Sequence, residues 1–200
     1  MITWMRKFRE RRKMKWPLKL ITGFSILGFM VYNHRRCCYE YYNREWCIKL
    51  ATVEDAEKAF HQFLDGIAVE LRHIILEQLI TRLTEIKTWF TIQRLYKFIG
   101  SSILIVYEGD SEQIKSATNT SDSHERYLKQ TDTVADLNII QRPALKKGCQ
   151  QELCSNSTLV ETRIIDTAHV FASSDVDSNY MFGLENVISI VEKMQKNLYK

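Results

Sequence analysis

Apolar residues recur at helical spacing from Val69 to Phe98, with Leu71, Ile74, Ile75, Gln78, Leu79, Arg82, Leu83, Ile86, Trp89 and Phe90 near one face. That stripe predicts a long helix packed on the chain's own core, the commoner fate of an amphipathic helix than binding a membrane surface or a partner. Gly100 then breaks the helix, and Ser102 to Tyr107 reads as a buried strand because its apolar run is continuous. Leu159 to Asp166 predicts another strand. Met181 to Asn197 predicts a helix that turns Phe182, Leu184, Val187, Ile188, Ile190, Val191 and Met194 inward. Nearer the amino terminus, residues 3–17 read as a basic helix ended by Pro17, and residues 23–32 as a strand. Thr52 is a helix cap, with Glu54 and Asp55 suited to the positive helix end and the helix running to Leu64. Between Asp110 and Ser157 the composition turns to Ser, Thr, Asp, Asn, Gln and Lys, so residues 110–157 are expected to form a long flexible insertion that buries too little surface to offset its ordering entropy. The expected fold class is α+β, with strands 23–32, 102–107 and 159–166 covered by helices and the whole of 1–200 in one lobe.

Composition narrows this picture. Two hundred residues, 45% of them hydrophobic, supply one core of ordinary size. The net charge of +4 is modest, yet Arg6, Lys7, Arg9, Arg11, Arg12, Lys13 and Lys15 crowd into a single arm. Five cysteines, an odd number with no C-x-x-C pair and no zinc-finger spacing, fit reduced thiols and a cytoplasmic or nuclear location. A membrane anchor is the rival reading of the basic arm, the apolar stretch Leu20 to Tyr32 and the Arg35-Arg36-Cys37-Cys38 that follows. The stretch is short of the roughly twenty residues a spanning helix needs, and its glycines, β-branched and aromatic residues suit a strand, so no stable membrane association is expected. Arg142 and Lys146-Lys147 fit either a nuclear import signal or a solvated charge cluster.

The candidate chemistry lies in the last third. Arg163-Ile164-Ile165-Asp166-Thr167-Ala168-His169 is an apolar run ending in an acid, followed by Asp177-Ser178-Asn179-Tyr180-Met181-Phe182-Gly183-Leu184-Glu185-Asn186. Many phosphotransferases hold a metal-binding carboxylate at such a strand end; a turn or a helix cap is the plainer reading of the same pattern. Together with Ser101-Ser102-Ile103-Leu104-Ile105-Val106-Tyr107-Glu108-Gly109, and with Trp16-Pro17-Leu18 leading through Gly23-Phe24 and Gly28 to Val31-Tyr32, these segments resemble the inositol polyphosphate kinase family, and within it are most similar to the multikinase branch. The family pattern reads Ile-Asp-Phe-Ala-His where this chain has Ile165-Asp166-Thr167-Ala168-His169.

The resemblance implies the carboxy-terminal lobe of a kinase fold, ATP and Mg2+ as cofactors and inositol polyphosphates as substrates. By the same resemblance Asp166 binds the magnesium and serves catalysis, Ser102 lies near nucleotide or metal, and His169 faces the substrate. Lys15 sits where a family lysine sits, with Arg11 and Arg12 in the same substrate-binding helix. Thr167 replaces the family's aromatic ring and removes packing beside the metal ligand. The family's Pro-x-x-x-Asp-x-Lys-x-Gly motif is not found: of the two prolines, Pro17 and Pro143, neither leads into it. The chain is therefore expected to be a fragment lacking the ATP-binding lobe, with a non-catalytic binding protein as the alternative, monomeric in either case. For the basic arm, nucleic acid and nuclear targeting compete with substrate binding, since any phosphate rewards clustered Lys and Arg; nucleic acid is the less expected partner.

Overall fold

The computed structural model describes residues 16–118 and 158–198. Two long helices, α4 (Arg72–Ile92) and α6 (Ser178–Asn197), pack against each other and form the spine of the molecule. Ile75, Leu76, Leu79 and Leu83 of α4 meet Leu184, Ile188, Val191 and Met194 of α6 in a continuous core, and Phe90 near the end of α4 is buried against Tyr180 and Phe98. Leu76 lies outside the stripe expected from spacing and is fully buried, while Trp89, inside it, is exposed. Helix α4 is covered on more than one side, because β5 (Val160–Ile165) also packs on it.

Helix α3 (Val53–Phe63) begins as expected. Thr52 accepts the Asp55 N–H and the Asp55 carboxylate accepts the Thr52 N–H, a closed capping box, and the backbone N–H groups of Ala51 and Thr52 hold that carboxyl below its usual range. Three boundaries differ from expectation. Pro17 opens helix α1 (Pro17–Thr22), since a missing N–H costs nothing in a first turn, and the basic helix expected over residues 3–17 lies, up to Lys15, outside the described residues. The strand expected from residue 23 starts only at Phe29, because Gly23 ends α1 with φ of 76° and turns the chain. The helix expected to reach Phe98 stops at Ile92; Tyr96–Phe98 leave it as strand β3, held at a distance by the buried Asp177.

The sheets are all two-stranded and antiparallel: β1 (Phe29–Asn33) with β2 (Cys38–Tyr42), β3 with β6 (Val170–Ala172), and β4 (Ser102–Tyr107) with β5. A four-residue helix, α2 (Arg44–Cys47), follows β2. The run 102–107 is strand as expected but not fully buried. Ile103, Ile105 and Tyr107 pack on the core, whereas Leu104 and Val106 are 46% and 53% exposed on the opposite face. The expected flexible insertion is corrected at its start: residues 111–118 form helix α5 with Ile114 fully buried. The rest of that segment, 119–157, lies outside the described residues.

Candidate functional site

The site is built by an interruption in one long ladder. Strands β3 and β4 are separated by three residues, and the returning strands β5 and β6 by four, so the two sheets are one hairpin broken in the middle. Pairing holds from Tyr96↔Ala172 to the Ile99 N–H that donates to the His169 carbonyl (2.9 Å), and resumes at Ser102↔Ile165. Gly100 and Ser101 therefore face Asp166, Thr167 and Ala168, an unequal count that bends both strands. Both arms turn through left-handed backbone at the break, Gly100 with φ of 80° and Asp166 with φ of 58°. Asp is among the few side chains that tolerate this region, so residue type and backbone agree at Asp166.

The break opens into a large cleft, with a volume near 1650 Å³. It is lined by β4 from Ser102 to Tyr107, with Ile165 of β5, and by the β1–β2 hairpin with Met30, Tyr32 and Tyr39. Asp166, Ser102, Lys97, Asp177, Asn179 and Tyr180 bring polar groups to the same cleft. Asp177 is 4% exposed and fully engaged: its carboxylate accepts the Phe98 N–H at 2.7 Å and the Tyr180 N–H at 3.2 Å, tying β3 to the first turn of α6. Ser101 Oγ and the Tyr180 hydroxyl are buried together beside this junction, and burial pushes the Tyr180 phenol up against the opposing effect of the Ser101 hydroxyl.

The expected residues are thus only partly assembled. Asp166 and Ser102 share the cleft. His169 lies exposed on the β5–β6 turn and is not among the residues lining it. Lys15, Arg11 and Arg12 lie outside the described residues. Ser101, Tyr180 and Asn179 were missed as cleft residues, although Tyr180 and Asn179 stand beside the Asp177 that sequence reading took for a turn residue. Asp177 is indeed the N-cap of α6. Among the described residues no three His, Cys, Asp or Glu side chains approach closely enough to hold a metal by themselves. An exposed single carboxylate fits a hard cation that keeps most of its ligands from water and phosphate, the usual habit of Mg2+. Among the described residues no helix is long and apolar enough to cross a membrane.

The architecture is an α+β fold shared with solved inositol phosphate multikinases: one such structure superposes on 94% of this chain and 70% of its own with a TM-score of 0.58 at 19% identity. A second, the S. cerevisiae multikinase solved with ADP and Mn2+, covers 83% of this chain and 55% of its own with a TM-score of 0.53 at 18% identity. The inositol polyphosphate kinase family model matches residues 5–192, and the chain belongs to that family. Human inositol hexakisphosphate kinase 1 is 27% identical over 210 residues, spanning 94% of this chain and 44% of the human protein. Human inositol polyphosphate multikinase is 24% identical over 260 residues, spanning 94% of this chain and 61% of that protein. The chain thus spans about half the length of the curated relatives it matches.

Proposed function

We propose that this chain is the carboxy-terminal lobe of an ATP-dependent inositol polyphosphate kinase of the multikinase type, which transfers a phosphoryl group from ATP to a hydroxyl of an inositol phosphate. The observation that carries this reading is Asp166, held in left-handed backbone at the break of the β-ladder, with Ser102 opening the facing strand inside the same cleft. Phosphoryl transfer depends on positioning and charge neutralisation more than on covalent chemistry. A bound Mg2+ would neutralise the nucleotide phosphates. Asp166 would hold that cation, and the nearby Ser102 hydroxyl would meet the nucleotide. His169, Lys15, Arg11 and Arg12 would contact the substrate phosphates, as the family resemblance implies. ADP and Mn2+ in the S. cerevisiae multikinase structure support the choice of cofactors.

The cleft is larger than the roughly 300–1,000 Å³ of a small-molecule pocket, and its walls are two-stranded sheets with exposed apolar faces. Both features fit further polypeptide, such as the ATP-binding lobe expected upstream, closing over the nucleotide. A second reading, a kinase-derived protein that binds ligands without turnover, is favoured by Thr167, which stands beside Asp166 where the family pattern has an aromatic ring. Cytoplasm or nucleus is the proposed location for either.

The deciding experiment pairs a phosphotransfer assay, with Mg2+, labelled ATP and inositol tris-, tetrakis- and hexakisphosphates, with equilibrium binding of the same ligands. Turnover abolished by Asp166→Asn supports the enzyme. Inositol phosphate binding without turnover supports the second reading. Failure of the folded chain to bind either nucleotide or inositol phosphate overturns both.

A further inference from the structure

The β1–β2 hairpin carries chemistry that phosphoryl transfer does not use. Its turn places two thiols side by side, Cys37 and Cys38, both exposed and free, directly after Arg35 and Arg36. Cys37 adopts left-handed backbone with φ of 50°, and among the described residues it shares that conformation only with Asp166 among non-glycines. The turn is well fixed around this residue. Asn33 Oδ1 accepts the N–H groups of Arg35 and Arg36 at 3.0 and 3.1 Å, while Asn33 Nδ2 donates to Glu40 at 2.7 Å. His34 Nε2 lies 2.8 Å from the Gly66 carbonyl, which anchors the turn to the body of the protein. The Cys37 thiol donates to the His34 carbonyl at 3.5 Å, and Tyr32, packed edge-on to both His34 and Tyr39, has its phenol pushed up by burial and by the neighbouring Cys37. Cys47 provides the contrast: it is buried, and burial pushes its thiol up, so it is an inert packing residue.

We propose that Cys37 and Cys38 form a thiol–disulfide exchange site for a small anionic disulfide of the glutathione type. Arg35, with Arg36 already paired to Glu40 at 3.4 Å, supplies attraction for the carboxylates of such a molecule, the exposed Cys37 sulfur supplies the nucleophile, and the Tyr32 phenol stands beside it. In the first step the Cys37 sulfur attacks one sulfur of the disulfide. A Cys37–S–S–R bond forms, the R–S–S–R bond breaks, and the departing thiolate leaves with the bonding electron pair, while the Cys37 proton passes to solvent. Cys37 is oxidised and half of the reagent is reduced. In the second step the Cys38 sulfur, its proton passing to solvent, attacks Cys37, displaces the remaining R–S⁻ and closes a strained, readily reduced bond between the adjacent cysteines; excess free thiol reverses both steps. Tyr32, His34 and Tyr39 also line the cleft, so the adduct sits at its rim. The proposal is independent of the phosphotransfer reading.

The test uses the full chain incubated with glutathione disulfide, quenched by alkylation and read by peptide mass spectrometry, with a synthetic peptide of residues 33–40 as the comparator. The adduct is expected on Cys37 about fivefold faster than in the peptide, because the folded turn presents the thiol beside the Tyr32 phenol and fixed charge. Cys37→Ser removes it, and Cys38→Ser makes it persist until dithiothreitol is added. Arg35→Gln with Arg36→Gln slows the reaction about threefold at low salt and leaves a neutral reagent, hydroxyethyl disulfide, unaffected. A rate no faster than that of the peptide, or adducts that form equally well after Cys37→Ser, would overturn the proposal.

Discussion

Single residues at the ladder break separate what the site needs for chemistry from what it needs for shape. Asp166 is exposed and left-handed, and Asn tolerates that backbone as well as Asp does. Asp166→Asn is therefore expected to leave stability within about 0.5 kcal/mol, as surface substitutions usually do, and to abolish Mg2+-dependent nucleotide binding; chemical denaturation and equilibrium titration check the two halves. Asp177 is the reverse case. Its buried carboxylate serves two N–H groups, so Asp177→Ala is expected to destabilise by about 2–3 kcal/mol through a lost cap and an orphaned Phe98 N–H, measured by denaturant midpoint. Tyr107 adds a pH dependence. Its hydroxyl donates to the Phe63 carbonyl, and burial pushes the phenol up to about 12. The folded state thus binds this proton more tightly than the unfolded chain, where tyrosine ionises near its ordinary value of 10.0. The resulting stability is complete below pH 10 and is lost as pH rises from there through about 12, amounting to roughly 1–2 kcal/mol after allowance for solvent screening. Alkaline unfolding compared with Tyr107→Phe reads it directly: the substituted protein should lose less stability over that window.

At the scale of elements, close contact between backbones joins the amino-terminal segment to the last helix. The Gly23 carbonyl at the end of α1 lies 3.1 Å from where a Cβ on Gly183 would stand, and a Cβ on Gly23 would meet Phe182 at 2.6 Å. Asn186 Nδ2 bridges the same elements by donating to the Thr22 carbonyl at 3.2 Å. Gly183→Val should push α1 off α6 and destabilise by about 2–3 kcal/mol, a cost typical of overpacking, visible as a lowered thermal midpoint. The sequence resemblance linked residues 17–32 and 177–186 as matched segments in order, and only the fold shows that they touch. Helix α3, by contrast, was legible residue by residue, because its capping box is a local hydrogen-bond exchange that needs no distant partner.

For the whole molecule, the spine of α4 and α6 carries the core while the sheets remain thin. Two-stranded sheets are marginal on their own, and here β5 packs on α4 and β1 on α3. Leu104 and Val106 stand on the exposed face of β4. Replacing both with Glu is expected to change stability by less than about 1 kcal/mol and to suppress binding of an apolar fluorescent dye, whereas substitution in a packed sheet would unfold the protein. A denaturation curve and a dye titration on one preparation distinguish the two outcomes.

Local apolar pattern and caps determined, from the sequence alone, that α3, α4, α6, β4 and β5 exist, since the pattern within each segment can be read without its partner. The ordered motifs likewise marked the family. Tertiary structure decided the rest. A helix that could run on to Phe98 stops at Ile92, and the following strand is held by Asp177, 79 positions away from Phe98 in sequence. Strand β4 is apolar on both faces, and only the arrangement of the sheets shows which face is covered. Ser101 faces Asp166 across the cleft because the broken ladder bends both strands there, and a pairing register between distant strands is not written in the neighbours of any one residue.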